Sequence, residues 1–160
     1  MEYGGFWIRV AAYFIDGIIM LVLIGAFYFA LTAVGLIDLA ALSALGDASS
    51  MQPGVELDPA VAMQAIGQFA IFYLGIFVIA WLYDALLTSS PMQGTPGKMV
   101  LGLRVTTADG EPIGFGRATG RFFGKIISGM ICNVGYLMVA FTSRKQGLHD
   151  MIANTVVVHA

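Results

Sequence analysis

Charged side chains are scarce in this 160-residue sequence. Asp, Glu, Lys and Arg together make up 11% of the residues, whereas about 25% is usual for a soluble domain. Hydrophobic residues make up 58%, and the mean hydropathy is +0.83. This balance excludes an ordinary soluble domain and predicts an integral membrane protein of one compact unit. The net charge of −2 gives no indication of nucleic-acid binding.

Cysteine and catalytic motifs are also nearly absent. The single cysteine, Cys132, lies in an apolar stretch, so it cannot form an internal disulfide or a paired zinc or redox site. We expect it to be a buried, inert thiol. The sequence contains no HExxH, P-loop or GxSxG motif. We therefore expect no enzyme activity, no metal site and no cofactor.

Two apolar runs are long enough to cross a membrane. They extend over Val10–Val34 and Ala65–Leu87, and about 20 apolar residues suffice to span the bilayer core. The first run exceeds the roughly 7–15 apolar residues of a signal peptide, so we expect a retained helix. Before the second run, Asp58 and Pro59 form a pair that predicts the cap and first position of a helix.

A third apolar run is ambiguous. Residues 119–142 are mainly apolar from Ile126 to Phe141, which is short for a single span. An Asn-Val-Gly sequence begins at Asn133 and allows the chain to turn there. Bent backbone at membrane depth is tolerated where protein or water covers it. Both a re-entrant hairpin and a short third span are therefore open.

The distribution of basic residues predicts the orientation, because cytoplasmic loops are enriched in Lys and Arg. The loop over residues 37–63 contains neither, so we expect it outside, with the N-terminus and residues 88–118 in the cytoplasm. A re-entrant third run also keeps the last basic residues inside, which favours it over a third span. The basic residues that decide this are Arg9, Lys98, Arg104, Arg117, Arg144 and Lys145.

Two short segments have the composition of β-strands. Met99–Thr106 and Asn154–His159 are rich in β-branched residues, and Asp109-Gly110 predicts a turn. We expect the two strands to pair. The predicted fold is an all-α polytopic membrane protein with two full transmembrane helices, a third apolar re-entrant hairpin or short span, and a small cytoplasmic β element. Its single domain over residues 1–160 has spans at about 10–34 and 65–87, an extracytoplasmic loop at 37–63, a cytoplasmic β-hairpin region at 88–118, a re-entrant or third span at 119–142 and a cytoplasmic C-terminal strand at 154–159.

Ionisable residues inside the apolar runs are the best indication of function. A charge at the centre of a membrane helix costs roughly 2.5–3.5 kcal/mol on the mildest scales, so it is expected to be paired or to line a polar path. Arg9 and Asp16 are seven positions apart and share one helix face, about 10 Å apart along the axis. Tyr13 lies between them, where its hydroxyl could bridge the pair.

The antiparallel arrangement of the two spans predicts a cluster on the cytoplasmic side. Asp84, near the end of the second span, would lie at the depth of Asp16, and Arg121 and Lys125 would lie at the same level. Such a cluster could bind a proton or a small cation, or it could be an ion pair that only fixes helix packing. Asp84 could also simply face water. A cationic edge of Arg117, Arg121 and Lys125 could meet anionic lipid headgroups.

Three motifs resemble the RDD family of small bacterial integral membrane proteins. They are GFWIRVAAYFIDGIIM, GTPGKMVLGLRVTTADGEPI and RKQGLHDMIANTVVV, in that order. The family is named for one arginine and two aspartates, which resemble Arg9, Asp16 and Asp150 here. From the residues alone, Asp150 predicts only a hydrogen bond or a helix cap; its importance is implied by the resemblance. One departure is Asn154, often glycine in the family, and asparagine also tolerates a left-handed turn.

The resemblance implies transport in the bacterial inner membrane, and some family members are associated with sodium/proton exchange. The first hypothesis is therefore a small cation/proton exchanger in which Asp16 binds the ion, Arg9 tunes its pKa and Asp150 gates or relays at the cytoplasmic mouth. We expect a homo-oligomer, because one protomer has few helices to enclose a path. The alternative is a non-transporting membrane module that binds lipids or a protein partner, with Arg9 and Asp16 as a structural ion pair.

Overall fold

The computed structural model describes residues 2–40, 42–43, 58–131 and 133–160 and is mostly helical (67%). Cys132 lies outside the described residues, as does the central part of the predicted loop, residues 44–57. The prediction of a buried, inert thiol and that of an extracytoplasmic loop at residues 44–57 therefore fall outside the described residues. The chain divides into two compact units, one formed by Met1–Met20 with Ile79–Ala160 and the other by Leu21–Val78.

Two long helices form where the two apolar runs predicted spans. Helix α1 covers Phe6–Ala33 and helix α2 covers Pro59–Ser89, and both are long and apolar enough to cross a membrane. Asp58 accepts a hydrogen bond from the amide of Ala60 at 2.8 Å, which confirms the predicted cap. Helix α2 therefore begins before residue 65, and the loop predicted to reach residue 63 ends at the cap.

The unit Leu21–Val78 contains the second half of α1, the first part of α2 and the segment that connects them. Its interior is aromatic: the rings of Phe27 and Phe72 are stacked with centroids 6.3 Å apart. Gly75 makes room for this packing, because a Cβ there would lie 2.2 Å from Cζ of Phe27. Most other large side chains of this unit point outward, as expected for helices surrounded by lipid.

A two-stranded sheet forms part of the other unit. After the short helix α3 (Pro96–Val100), strand β1 (Leu103–Thr107) pairs antiparallel with strand β2 (Thr155–His159), with Val105 opposite Val157. The predicted pairing is confirmed. Residues 2–4 extend this sheet along the other edge of β2, since the amide of Gly4 donates to the carbonyl of Val157 at 2.9 Å. The start of α1 is thereby attached to the sheet.

The third apolar run forms several short elements. Helix α4 covers Phe115–Met130, α5 covers Val134–Leu137, a 3-10 turn covers Met138–Ala140, and α6 covers Leu148–Ile152. The run from 134 to 140 is bent by 114° from α4. The break falls where the Asn-Val-Gly sequence predicted a turn, and Asn133 has a left-handed φ of 61°. Asn154 also has a positive φ of 50°, the left-handed conformation that asparagine tolerates.

Candidate functional site

Asp150 lies at the centre of a buried ion-pair cluster. It sits in the first turn of α6, is fully buried, and receives a hydrogen bond from the amide of Gly147 at 3.2 Å. Arg9 Nη1 lies 2.6 Å from its Oδ2, and Arg121 Nε lies 2.8 Å from its Oδ1. One carboxylate thus holds together the start of α1, α4 and α6.

The predicted pair of Arg9 with Asp16 is wrong. Arg9 donates instead to the carbonyl of Gly4 at 3.0 Å and to that of Lys145 at 2.6 Å, in addition to Asp150. Side chains of a helix point toward its N-terminus, so the guanidinium extends back from Arg9 and away from Asp16. Sharing a helix face did not bring the two groups together.

Burial and charge set the protonation of the groups around α6. Burial by itself raises the pKa of Asp150, but Arg121 and Arg9 lower it by more, so the pKa lies below its usual range. Burial lowers the pKa of His149 to about 3. Its ring lies 5.0 Å from the ring of Tyr136, and its backbone packs against Gly124. Asp150 is therefore ionised and His149 neutral at physiological pH.

Asp84 lies in a second ion-pair cluster. Lys125 Nζ is 2.6 Å and Lys98 Nζ is 3.9 Å from its Oδ1. The residue is only 6% exposed, so the interpretation that it faces water is wrong; α4 covers it with Lys125. Among the described residues, its Oδ2 has no hydrogen-bond partner. Burial, followed by the nearby charge of Lys125, lowers the pKa of Lys98 to about 7.

Asp16 has a different environment. The Tyr83 hydroxyl and the Gly97 amide donate to its Oδ1 at 3.0 and 2.8 Å, and the Thr95 hydroxyl donates to Oδ2. No Lys, Arg or His nitrogen in the described part of the chain lies within 4.0 Å of this carboxylate. The residue is half-buried. Asp16 is therefore an acidic group held by neutral donors.

Glycine at position 97 makes this arrangement possible. A Cβ there would lie 2.2 Å from the carbonyl oxygen of Ala12 and 2.8 Å from Cγ of Asp16. Only glycine lets α3 approach α1 so closely. Lys98, next in the chain, donates to the Thr95 hydroxyl at 3.1 Å. Polar contacts therefore continue from Asp16 through Thr95 and Lys98 to Asp84.

Three other sequence predictions concern a tyrosine of α1 and the basic residues of α4. Tyr13 does not bridge Arg9 and Asp16, because it is 75% exposed and points away from them. Arg117 is exposed, as expected for a cationic edge. Arg121 and Lys125, however, point inward to Asp150 and Asp84, so their assignment to that edge is wrong. Their helix face also carries the small residues that pack on α6.

Sequence reasoning missed four residues that complete the site: Tyr83, Thr95, Gly97 and Lys98. Three of them belong to the T-x-G-K pattern of the second motif, which as an isolated string fits only a poor phosphate loop. Only their position in the second family motif indicated that these three residues belong to the site. Tyr83 had no signal, because an aromatic residue near the end of a span is ordinary in membrane helices.

These features define a polytopic membrane protein with a charged core built around three aspartates. The RDD family model matches residues 3–154, and the chain belongs to the RDD family. "Uncharacterized protein YxaI" of Bacillus subtilis (strain 168) is 39% identical over 156 residues, covering 98% of this chain and 97% of the relative. "Uncharacterized membrane protein YteJ" of the same strain is 35% identical over 97 residues, covering 57% of this chain and 55% of that protein.

A longer relative also matches. The "Proline-rich antigen" of Mycobacterium leprae (strain TN) is 31% identical over 155 residues, covering 94% of this chain and 59% of the relative. No solved structure matches this chain. The comparisons therefore identify the family and its membrane character.

Proposed function

We propose that this protein is a membrane carrier that exchanges a small cation, sodium in the first instance, for protons, with Asp16 as the ion-binding carboxylate. The observation that supports this is the difference between the three aspartates. Asp84 and Asp150 each have two basic neighbours, whereas Asp16 is contacted by hydroxyl and amide donors. A carboxylate that is already neutralised by basic neighbours attracts a further cation only weakly. Asp16 has no such neighbour within 4.0 Å among the described residues, so its negative charge can attract a cation.

The neighbours of Asp16 suit a small cation. Hydroxyl groups donate and accept hydrogen bonds, so those of Tyr83 and Thr95 can turn their lone pairs toward an ion beside the carboxylate. Hard cations prefer oxygen ligands. The amide of Gly97 would keep one carboxylate oxygen in place during the exchange. A proton on the same carboxylate conserves the local charge when the cation leaves.

The other charged residues have supporting roles in this proposal. Arg9 does not tune Asp16; with Arg121 it fixes Asp150 and so holds α1, α4 and α6 together. In this proposal Asp150 is therefore a structural anchor and not the gate or relay that we expected from the sequence. We place the protein in the bacterial inner membrane with its N-terminus in the cytoplasm. Because two spans enclose little space, we expect two or more protomers to form the path, with lipids as their surroundings and without catalytic chemistry.

The test is cation-driven proton movement in proteoliposomes. A trapped pH dye reports on pulses of sodium, lithium and potassium for the unmodified protein and for Asp16→Asn. The matched control is Asp109→Asn, which removes a carboxylate from an exposed turn. We expect a cation-dependent signal that Asp16→Asn abolishes and Asp109→Asn leaves unchanged.

Two results would contradict the proposal. Exchange at the normal rate in Asp16→Asn would remove Asp16 from the mechanism. Absence of any response from folded, reconstituted protein would favour the alternative, a non-transporting module that binds lipids or a protein partner.

A further inference from the structure

Helix α4 has its polar face inside and its apolar face outside. The inner face is formed by Ala118, Arg121, Gly124 and Ser128, all buried. Opposite it are large apolar side chains that are 40–79% exposed: Phe115, Phe123, Ile126, Ile127 and Met130. A surface helix of a soluble protein has the reverse pattern. The outer face of α4 therefore fits an apolar surrounding.

The inner contacts fix which side of α4 points outward. Arg121 binds Asp150 and Lys125 binds Asp84, while Gly124 lies against the backbone of His149. Rotating the helix would leave two buried carboxylates without these partners, at a cost of several kcal/mol each. The apolar side thus remains outward whatever surrounds it.

The sheet limits how often the chain crosses the membrane after α2. Strand β1 precedes α4 and strand β2 follows α6, yet the two are hydrogen-bonded neighbours. Both strands therefore lie on one side of the membrane, and the chain between them crosses it an even number of times. Two crossings would need two legs of about 17 residues or more. Helix α4 has 16 residues, and the bent run after it extends only from 134 to 140.

The start of α4 is attached to α2 through aromatic and polar contacts. Trp81 Nε1 donates to the hydroxyl of Thr119 at 3.2 Å, and the rings of Trp81 and Phe115 lie 6.0 Å apart. Tryptophan near the end of a span marks the level of the lipid headgroups. The exposed Arg117, in the first turn of α4, is placed to reach those headgroups. These contacts put the helix at the depth of the membrane interface.

We propose that α4 lies along the membrane surface and does not cross it, with its outer face among the acyl chains of one leaflet. The occupant of that face is the lipid itself, as the contacts of Trp81 and the position of Arg117 at the start of α4 indicate. Amphipathic helices in this position sink about 5–10 Å below the headgroups. The inference does not depend on transport.

Nitroxide labels on the outer face test this in anionic liposomes. In a Cys132→Ser background, single cysteines replace Phe115, Ile126 and Met130, and collision with oxygen and with a water-soluble nickel chelate gives the depth of each label. We expect all three at similar shallow depths of about 5–10 Å. Leu21→Cys in α1 is the deep control, and Asp109→Cys in the exposed turn is the water control. These substitutions lie outside the charged core, so folding is retained.

Several results would overturn the inference. In a crossing helix, depth would change by about 1.5 Å per residue, or roughly 22 Å from the first label to the last. Full access of nickel would show that water covers the face, and spin–spin broadening without oxygen access would show a second copy of the chain. A second measurement is independent of depth: an impermeant maleimide should reach Glu2→Cys and Arg144→Cys from the same side, and labelling from opposite sides would establish a crossing.

Discussion

Asp150 is the residue on which most of the charged core depends. Its two carboxylate oxygens are shared by two guanidinium groups from distant parts of the chain, and both oxygens are inaccessible to solvent. Removing one member of a buried ion pair costs more than the pair itself contributes, because it leaves an unpaired charge. Asp150 therefore serves as a structural anchor.

We expect Asp150→Asn to destabilise the protein by about 3–5 kcal/mol, since it leaves Arg9 and Arg121 facing each other without a carboxylate. Thermal unfolding in detergent, followed by size-exclusion chromatography, measures the effect. Asp109→Asn at the exposed turn should unfold at the normal temperature. Equal unfolding temperatures for Asp150→Asn and the unmodified protein would show that the anchor contributes little.

His149 predicts how stability varies with pH. Its pKa of about 3 in the folded state is below the value of about 6.5 in an unfolded chain, so between these pH values the unfolded state binds the extra proton. Stability is then lost as the pH falls from about 6.5, by up to about 1.4 kcal/mol per pH unit. We expect His149→Phe to reduce this loss between pH 6.5 and 4.5 in unfolding measurements. His159→Phe, which changes an exposed histidine, should retain it.

Arg9 shows what residue spacing can predict and what it cannot. Helical periodicity correctly placed Arg9 and Asp16 on one side of α1, but it gave no information on the direction of a long side chain or on a partner 141 positions away. Tyr13 is similar: it follows Ala12, which marks the buried side of α1, and a rotation of 100° turns it outward. Only the family motif indicated that Asp150 matters.

At the scale of elements, the close approach of α3 to α1 depends on the absence of a side chain at Gly97. We expect Gly97→Ala to push α3 away, because its Cβ would meet the backbone oxygen of Ala12 at 2.2 Å and backbone cannot yield as a side chain can. The hydrogen bond from this amide to Asp16 would be lost. Bonds to charged groups contribute about 1.5–3 kcal/mol to stability, and without this bond Asp16 is no longer fixed beside the hydroxyls of Tyr83 and Thr95. We therefore expect a weaker apparent cation affinity, which the concentration dependence of exchange measures.

The matched control for that substitution is Gly116→Ala. It introduces the same methyl group in helix α4, where a Cβ would meet no atom within 4 Å. Its exchange should equal that of the unmodified protein. Similar effects of both substitutions would show that the loss does not depend on the close approach at Gly97.

The register of the sheet can be fixed covalently. Arg104 lies opposite Val158, and paired residues of antiparallel strands are about 4.5–5.5 Å apart at Cα, within the range of a disulfide. With Cys132→Ser, the pair Arg104→Cys and Val158→Cys should cross-link on mild oxidation. The pair Arg104→Cys and Val157→Cys, shifted by one residue to the other face, should not. Cross-linking of both pairs, or of neither, would contradict the register.

Elements were predicted unequally well. The two spans, the cap at Asp58 and the pairing of the strands followed from apolar length, local capping chemistry and β-branched composition, which are properties of the segments themselves. The inward polar face of α4 could not be predicted from such properties. Arg121 and Lys125 at the start of an apolar run have the pattern of headgroup anchors, and only tertiary contacts with Asp84 and Asp150 reveal that they are buried.

At the scale of the whole molecule, binding of the proposed cation at Asp16 should stabilise the fold. An ion that binds only the folded state adds about 2.7 kcal/mol at a concentration 100 times its Kd. We expect sodium to raise the unfolding temperature relative to choline at equal ionic strength. Asp16→Asn should eliminate the difference, and Asp109→Asn should preserve it. A sodium effect of the same size in Asp16→Asn would place the ion elsewhere.

The charged core also has a formal excess of one positive charge. Four basic residues, Arg9, Lys98, Arg121 and Lys125, meet three acidic ones, Asp16, Asp84 and Asp150. All belong to the same compact unit, so each substitution changes the field at the others. Effects of double substitutions within this core should therefore not be additive.

The pair of Arg9 and Asp150 has a consequence for biosynthesis. Arg9 leaves the ribosome with the first helix, and its partner is 141 residues behind it. At a synthesis rate of about 5–20 residues per second, translation of the chain between the two residues takes roughly 7–30 seconds. During this interval the guanidinium of Arg9, at the entrance of α1, must be accommodated by headgroups and water. Helix insertion and closure of the charged core are therefore separate events in time, and a nascent chain stalled before residue 150 holds both spans without the core that joins them.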